Sequence, residues 1–157
     1  MFRVGFGYDL HQLKKGSKLL IGGVEIDSEF GAFSFSDGDC LLHALVDAML
    51  GGAGLGDIGE YFPDTDERFR DINSSFFVTE TLDLINKNDF KIVNMDATIL
   101  LERPKLMNYK QIIKKNIANL LNISEYSVNI KAKTNEKIGE IGASLAIASY
   151  VVVLLEG

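Results

Sequence analysis

Phe2-Arg3-Val4-Gly5-Phe6-Gly7-Tyr8-Asp9-Leu10-His11 alternates with a period of two. Phe2, Val4, Phe6, Tyr8 and Leu10 project one way; Arg3, Gly5, Gly7, Asp9 and His11 project the other. That period means a strand over about residues 2 to 11, with one wholly apolar face. Asp9 and His11 share the opposite face, and the nearby Gly5 and Gly7 are expected to leave room there for a ligand.

Outward from this strand, residues 18 to 26 read as a hairpin turning at Gly22-Gly23. Asp37-Gly38-Asp39 offers the cap of a helix that runs to about Leu50, with Leu41, Leu42, Leu45, Ala48 and Met49 as its apolar stripe. Residues 51 to 72 read as a long loop, glycine-rich between Gly51 and Gly59 and followed by Phe62-Pro63-Asp64-Thr65-Asp66. Loops of this length inside a compact domain are usually functional or disordered. A second helix begins near Ser74, with Val78, Leu82 and Ile85 on one face. Residues 90 to 102 form a strand in which Val93, Met95, Ala97, Ile99 and Leu101 alternate with Asn94, Asp96 and Thr98. A third helix from about Asn108 buries Ile113, Ile117, Leu120 and Leu121 and turns Lys110, Lys114 and Lys115 to water. Val128, Ile130 and Ala132 mark another strand, and Leu145 to Leu155 a last one that is apolar on both faces. The pattern predicts one α/β (α+β) domain over residues 1–157, a two-layer sandwich of a mixed β-sheet with helices on one face. The two-faced final strand predicts that identical subunits cover the other.

Composition narrows the function. A chain of 157 residues that is 46% apolar and 24% charged suits a soluble globular domain. No apolar run approaches the ~20 residues that cross a bilayer, and Met1 to Gly5 shows no signal-peptide pattern. The single cysteine, Cys40, forms no internal disulfide and suits a reducing compartment, so a cytoplasmic location is expected. A net charge of −6 argues against a nucleic-acid partner. Phosphates must then be bound locally, by metal ions, loop amides or a few lysines.

Four segments carry candidate chemistry. Asp9 and His11 on the strand and His43 in the first turn of the helix are three N/O donors of the kind zinc accepts, with a fourth position open. Asp47, one turn beyond His43, is expected to accept its free ring N–H. The plainer reading of these residues is an exposed strand end and a satisfied polar residue on a helix. Asp57-Ile58-Gly59 and Phe62 to Asp66 can bring backbone amides to an oxyanion, or simply form an acidic surface loop. Glu102-Arg103-Pro104-Lys105-Leu106 and Lys131-Ala132-Lys133-Thr134-Asn135-Glu136 end strands with lysines for a phosphate and Glu136 for a hard cation. Ordinary strand ends look the same.

Together the segments resemble the 2-C-methyl-D-erythritol 2,4-cyclodiphosphate synthase family. The resemblance rests on Gly7 to His11, Ser36-Asp37-Gly38-Asp39 with His43, Gly56 to Gly59 through Phe62 to Asp66, Arg103-Pro104-Lys105, and Lys131-Ala132 with Thr134 and Glu136. It implies a homotrimer with active sites between subunits, zinc on Asp9, His11 and His43, and magnesium or manganese on Glu136. It places Lys105 and Thr134 in the catalytic machinery. Ser36, Asp57, Gly59, Phe62, Asp64 and Asp66 would receive a methylerythritol phosphate. Leu101, Pro104, Lys105, Leu106, Met107 and Ala132 would shape a cytidine pocket, with Lys133 and Thr134 near its phosphates. The implied reaction is a lyase-type cyclisation of 4-diphosphocytidyl-2-C-methyl-D-erythritol 2-phosphate that releases cytidine monophosphate, in non-mevalonate isoprenoid synthesis.

The chain departs from that pattern at three places. Phe35 stands where a histidine is common, Lys133 where a threonine is usual, and Ala143-Ser144-Leu145 where Arg-Gly-Glu is frequent. The first predicts weaker orientation of a substrate phosphate; the last predicts weak or absent prenyl-diphosphate binding along the trimer axis. These departures keep two other readings open. One is a non-catalytic metal- or ligand-binding trimer on the same fold, the other a zinc phosphohydrolase yielding linear products.

Overall fold

The computed structural model describes residues 1–157. Its strands are β1 (Phe2–Lys15), β2 (Leu19–Ile21), β3 (Val24–Ile26), β4 (Phe30–Phe33), β5 (Lys91–Leu100), β6 (Val128–Lys133) and β7 (Ala146–Glu156). Its helices are α1 (Cys40–Ala53), α2 (Ile58–Tyr61), α3 (Ser75–Lys87), α4 (Lys110–Leu121) and α5 (Gly139–Gly142). The main sheet has the order β4-β1-β7-β5-β6, and only β5 and β6 run parallel. β2 and β3 form the expected hairpin across Gly22-Gly23. The fold is thus a mixed α/β sheet with helices.

α1 lies against β1 and β7, with α3 beside it and α4 on β6. Leu41, Leu42, Leu45 and Met49 are fully buried and join Ile99, Ile113, Val151 and Val153 in one continuous core. Asp39 starts α1 as its N-cap, accepting from the Leu42 N–H at 3.0 Å. The same buried carboxylate accepts from the Gly22 and Gly23 N–H groups at 2.9 and 2.6 Å. One side chain therefore satisfies a helix terminus and ties the hairpin to it.

Gly5 and Gly7 do not make room for a ligand as expected. A Cβ on Gly7 would stand 1.9 Å from the Ala44 carbonyl oxygen, and one on Gly5 1.8 Å from that of Ala48. The space they leave is filled by the backbone of α1. The alternation of β5 also differs from expectation. Its pairing with β7 slips between Ile92 and Asn94, so Ile92 is buried and Val93 turns outward. The segment 51–72 is shorter as a loop than its glycines predict: α1 extends to Ala53, α2 follows, and Glu67–Phe69 forms a 3-10 turn.

The outer face of β1 and β7 stays open. Phe2, Val4, Phe6, Tyr8 and Leu10 are all exposed, and Tyr150 meets Phe6 and Tyr8 at ring separations of 6.2 and 5.0 Å. An apolar patch of this extent marks an interaction surface.

Gly7→Ala should destabilise the fold by about 3 kcal/mol, since backbone rather than a flexible side chain blocks the methyl group. Thermal unfolding followed by circular dichroism should show a midpoint lowered by roughly 6–12 °C. An unchanged midpoint would mean that α1 can shift away from β1.

Candidate functional site

β1 carries Asp9 and His11 on its helix-facing side, and α1 brings His43 over them. Donor atoms of the three residues lie within 4.8 Å of one another. Asp9 Oδ2 stands 2.6 Å from His11 Nδ1 and 3.6 Å from His43 Nδ1. Asp9 Oδ2 and His11 Nδ1 are buried, yet neither makes a hydrogen bond of good geometry, which leaves both free to act as metal donors. Donors on a tetrahedral ion with bonds of about 2.0–2.1 Å stand roughly 3.3 Å apart, a value that the 2.6 and 3.6 Å separations bracket, and one carboxylate with two imidazoles is a donor set zinc accepts. Burial alone would raise the Asp9 pKa, but the His11 and His43 imidazoles beside it bring it down to about 2. Burial opposes a charge on His43, and the Asp9, Asp39 and Asp37 carboxylates outweigh it, so its pKa is raised. The pocket is electrostatically prepared for positive charge.

The partner of the other His43 nitrogen is Ser74, not Asp47. His43 Nε2 lies 2.8 Å from Ser74 Oγ and 3.1 Å from Ser36 Oγ. The Ser74 hydroxyl donates its only proton to the Asp37 carboxylate, which also accepts the Ser74 N–H at 2.9 Å. Ser74 Oγ must then accept from His43 Nε2–H, which leaves the Nδ1 lone pair for a metal. Asp47 instead accepts the Ile58 N–H at 2.7 Å and anchors the start of α2. Nothing in the spacing of the sequence marks Ser74; only Asp37 belongs to a segment with a signal of its own, the Asp37-Gly38-Asp39 cap.

An open cavity of about 470 Å³ surrounds the triad. Ser36, Gly59, Phe62 and Asp64 line it, as does Phe35, and no lysine or arginine does. Phe62, Phe69 and Phe77 hold its covering loop in place, with ring separations of 4.7 to 5.7 Å. Asp57 and Asp66 lie outside the lining: Asp57 caps α2, and Asp66 pairs with Arg68 at 2.6 Å. Phe35 is covered by the Arg70 guanidinium, 4.7 Å above its ring, and its carbonyl accepts the Asp71 N–H.

A second cavity of about 300 Å³ lies where β5 and β6 end. Leu101, Lys105, Leu106, Met107, Ala132, Lys133, Thr134 and Glu136 meet there as the sequence implied. Pro104 instead borders a neighbouring cleft with Phe30 and Arg103. Lys110, expected to face water, lines the pocket as well. Glu136 accepts the Thr134 hydroxyl at 3.0 Å, and the two cavities share no residue.

Ser74→Ala should weaken zinc binding by about 10- to 100-fold, the usual effect of losing a group that orients a ligand imidazole. Asp47→Asn should leave it unchanged. Competition with a chromophoric chelator measures both; equal effects would return the orienting role to Asp47.

The YgbB family model matches residues 2–156. The 2-C-methyl-D-erythritol 2,4-cyclodiphosphate synthase of Fusobacterium nucleatum is 47% identical over 156 residues, covering 99% of this chain and 98% of its own. The synthase of Clostridium novyi is 46% identical over 153 residues, covering 98% of each. Among solved structures, the bifunctional IspDF from Campylobacter jejuni superposes with a TM-score of 0.95 at 40% identity, over 99% of this chain and 42% of that one. A 2C-methyl-D-erythritol-2,4-cyclodiphosphate synthase in a CDP-bound form gives 0.91 at 36% identity, over 98% of this chain and all of that one (100%). Similarity that runs from the first strand to the last, in sequence and in backbone alike, places this chain in the YgbB family.

Proposed function

We propose that this chain is a phosphorus–oxygen lyase converting 4-diphosphocytidyl-2-C-methyl-D-erythritol 2-phosphate to 2-C-methyl-D-erythritol 2,4-cyclodiphosphate and cytidine monophosphate, in the synthesis of isoprenoid precursors. The observation that carries the reading is the convergence of Asp9, His11 and His43 on one point beside a cavity of substrate size. The names of the similar proteins support it, and so does the CDP-bound neighbour.

In this reaction the substrate's own 2-phosphate oxygen attacks the β-phosphorus. The bond to the cytidylate oxygen breaks, and cytidine monophosphate leaves with the electron pair. No protein nucleophile is required, and Cys40 is not poised as one: it is fully buried, with its thiol pushed up well above the usual value by burial and then by Asp9. The chain's task is to fold the substrate so that attacking and leaving oxygens align, which contributes ~7–11 kcal/mol in well-oriented systems. Ser36, Gly59, Phe62 and Asp64 border the cavity for the methylerythritol phosphate; Leu101, Lys105, Leu106, Met107 and Ala132 border that for the nucleotide. Asp9, His11 and His43 would hold zinc and Glu136 magnesium or manganese, and cations there would supply Lewis-acid neutralisation of charge on the transferring phosphoryl group.

The two cavities sit toward opposite edges of the sheet, with β1 and β6 separated by three strand spacings, about 14 Å. We read each working site as shared, the metal half from one subunit and the nucleotide half from its neighbour in a homotrimer. The open apolar face of β1 and β7 is the natural contact for such an assembly. No helix is long and apolar enough to cross a membrane. The cavity nearest Leu145 is lined by Leu10, Gln12, Glu140 and Ile141 and carries no cation, which supports weak prenyl-diphosphate binding there.

Supplied with substrate, zinc and magnesium, the protein should release cytidine monophosphate and the cyclic product, identified by mass; a linear product would indicate hydrolysis. His43→Ala should lower kcat on the order of 10³-fold. Light scattering should give three times the 17.3 kDa chain mass. His43→Ala and Lys105→Ala proteins, each inactive alone, should regain turnover when unfolded and reassembled together, because mixed trimers contain some intact sites. No recovery would place the whole site in one chain. Phe35→His should lower KM severalfold; an unchanged KM and kcat would show that Phe35 is neutral.

A further inference from the structure

Lys110 is the first residue of α4, and its position there is set locally. The Tyr109 and Lys110 N–H groups both donate to the Leu106 carbonyl, at 2.9 and 3.1 Å. That turn puts Met107 and Lys110 on one side, three residues apart, against the cavity at the ends of β5 and β6. Around this cavity stand Lys105, Lys110 and Lys133 against a single acid, Glu136. None of the three ammonium groups has a carboxylate partner, whereas the nearby Lys131 is paired with Asp96. In a chain of net charge −6, three unpaired cations around one cavity are a local reversal of sign. The floor they surround is apolar, from Leu101, Leu106 and Ala132. Such a pocket suits a ligand with a flat, uncharged part and more than one negative charge.

We propose that Lys110 is a specificity-determining residue of this pocket, completing with Lys105 and Lys133 a cationic rim that selects a nucleoside diphosphate over the monophosphate and the free nucleoside. The proposal rests on the reading of this cavity as the nucleotide half of the site. A lysine suits the role because its ammonium is a compact point charge on a flexible stem that can follow a phosphate chain. One consequence bears on turnover. The substrate carries a diphosphate and the departing nucleotide only a monophosphate, so the rim holds the reactant more tightly than the leaving product.

Calorimetric binding of cytidine, cytidine monophosphate and cytidine diphosphate to the assembled protein tests the assignment, at low and high ionic strength. Lys110→Met keeps the apolar stem and removes the charge. It should weaken the diphosphate about tenfold and the monophosphate about threefold, with less than about a twofold change for cytidine. Added salt should weaken diphosphate binding less in this variant than in the wild type. Lys110→Arg should restore most of the preference, and turnover of Lys110→Met should show a raised KM at nearly constant kcat. Equal losses for all three ligands would assign Lys110 a structural role, and no loss would leave it idle; either result overturns the proposal. Wild-type protein that cyclises the substrate but favours no diphosphate would overturn the proposal alone. Wild-type protein that binds no cytidine nucleotide would overturn the reading of the pocket as well.

Discussion

The site depends on how closely one helix approaches one strand. α1 rests its backbone on β1 at Gly5 and Gly7, where even a methyl group would overlap the Ala44 and Ala48 carbonyls. The contact fixes the height of the helix over the sheet, and hence the height of His43 over Asp9 and His11. Metal ligands tolerate errors of only a few tenths of an ångström in bond length. A donor carried on a helix needs that helix held against something that does not yield, and backbone against backbone meets the need. Asp39 adds the second restraint by capping α1 and binding the β2–β3 turn with the same carboxylate.

Electrostatics divide the labour between the two cavities. Around the triad there is no lysine or arginine, and the donor set favours a cation; a phosphate there would meet positive charge only through a bound cation. The other cavity is ringed by lysines and can meet phosphates directly. An acidic chain thus binds an anionic substrate without becoming basic overall, which keeps its affinity for polyanions in general low.

Much of this was legible in the chain itself. The period of two in residues 2 to 11 identified the strand, its apolar face and the shared side of Asp9 and His11. The Asp37-Gly38-Asp39 cap located α1, and the β2–β3 turn fell at its two glycines. Family likeness, carried by separated motifs, gathered residues from positions 101 to 136 into what proved to be one cavity, apart from Pro104. Other readings failed for identifiable reasons. Asp47 lies one turn from His43, where a carboxylate can orient a ligand imidazole, but the Ile58 N–H at the start of α2 claims it. Val93 fits the alternation of β5, but a bulge reverses its side. Lys110 fits the polar face of α4, but that helix starts beside a cavity formed by other elements.

Local pattern by itself determined which segments are strands and helices, which faces are apolar, and which residue types are available for metal and phosphate chemistry. Those properties depend on neighbours within a turn or two of chain. Tertiary structure alone decided that two glycines seat a helix, that Ser74 and Asp37 orient His43, and that the cavity around the triad and the lysine-ringed cavity lie apart on the sheet. The first two rest on contacts between residues some 30 or more positions apart, such as His43 with Ser74, and the third on the order of the strands. The competition for each hydrogen bond and each void is settled only when all the elements are packed together.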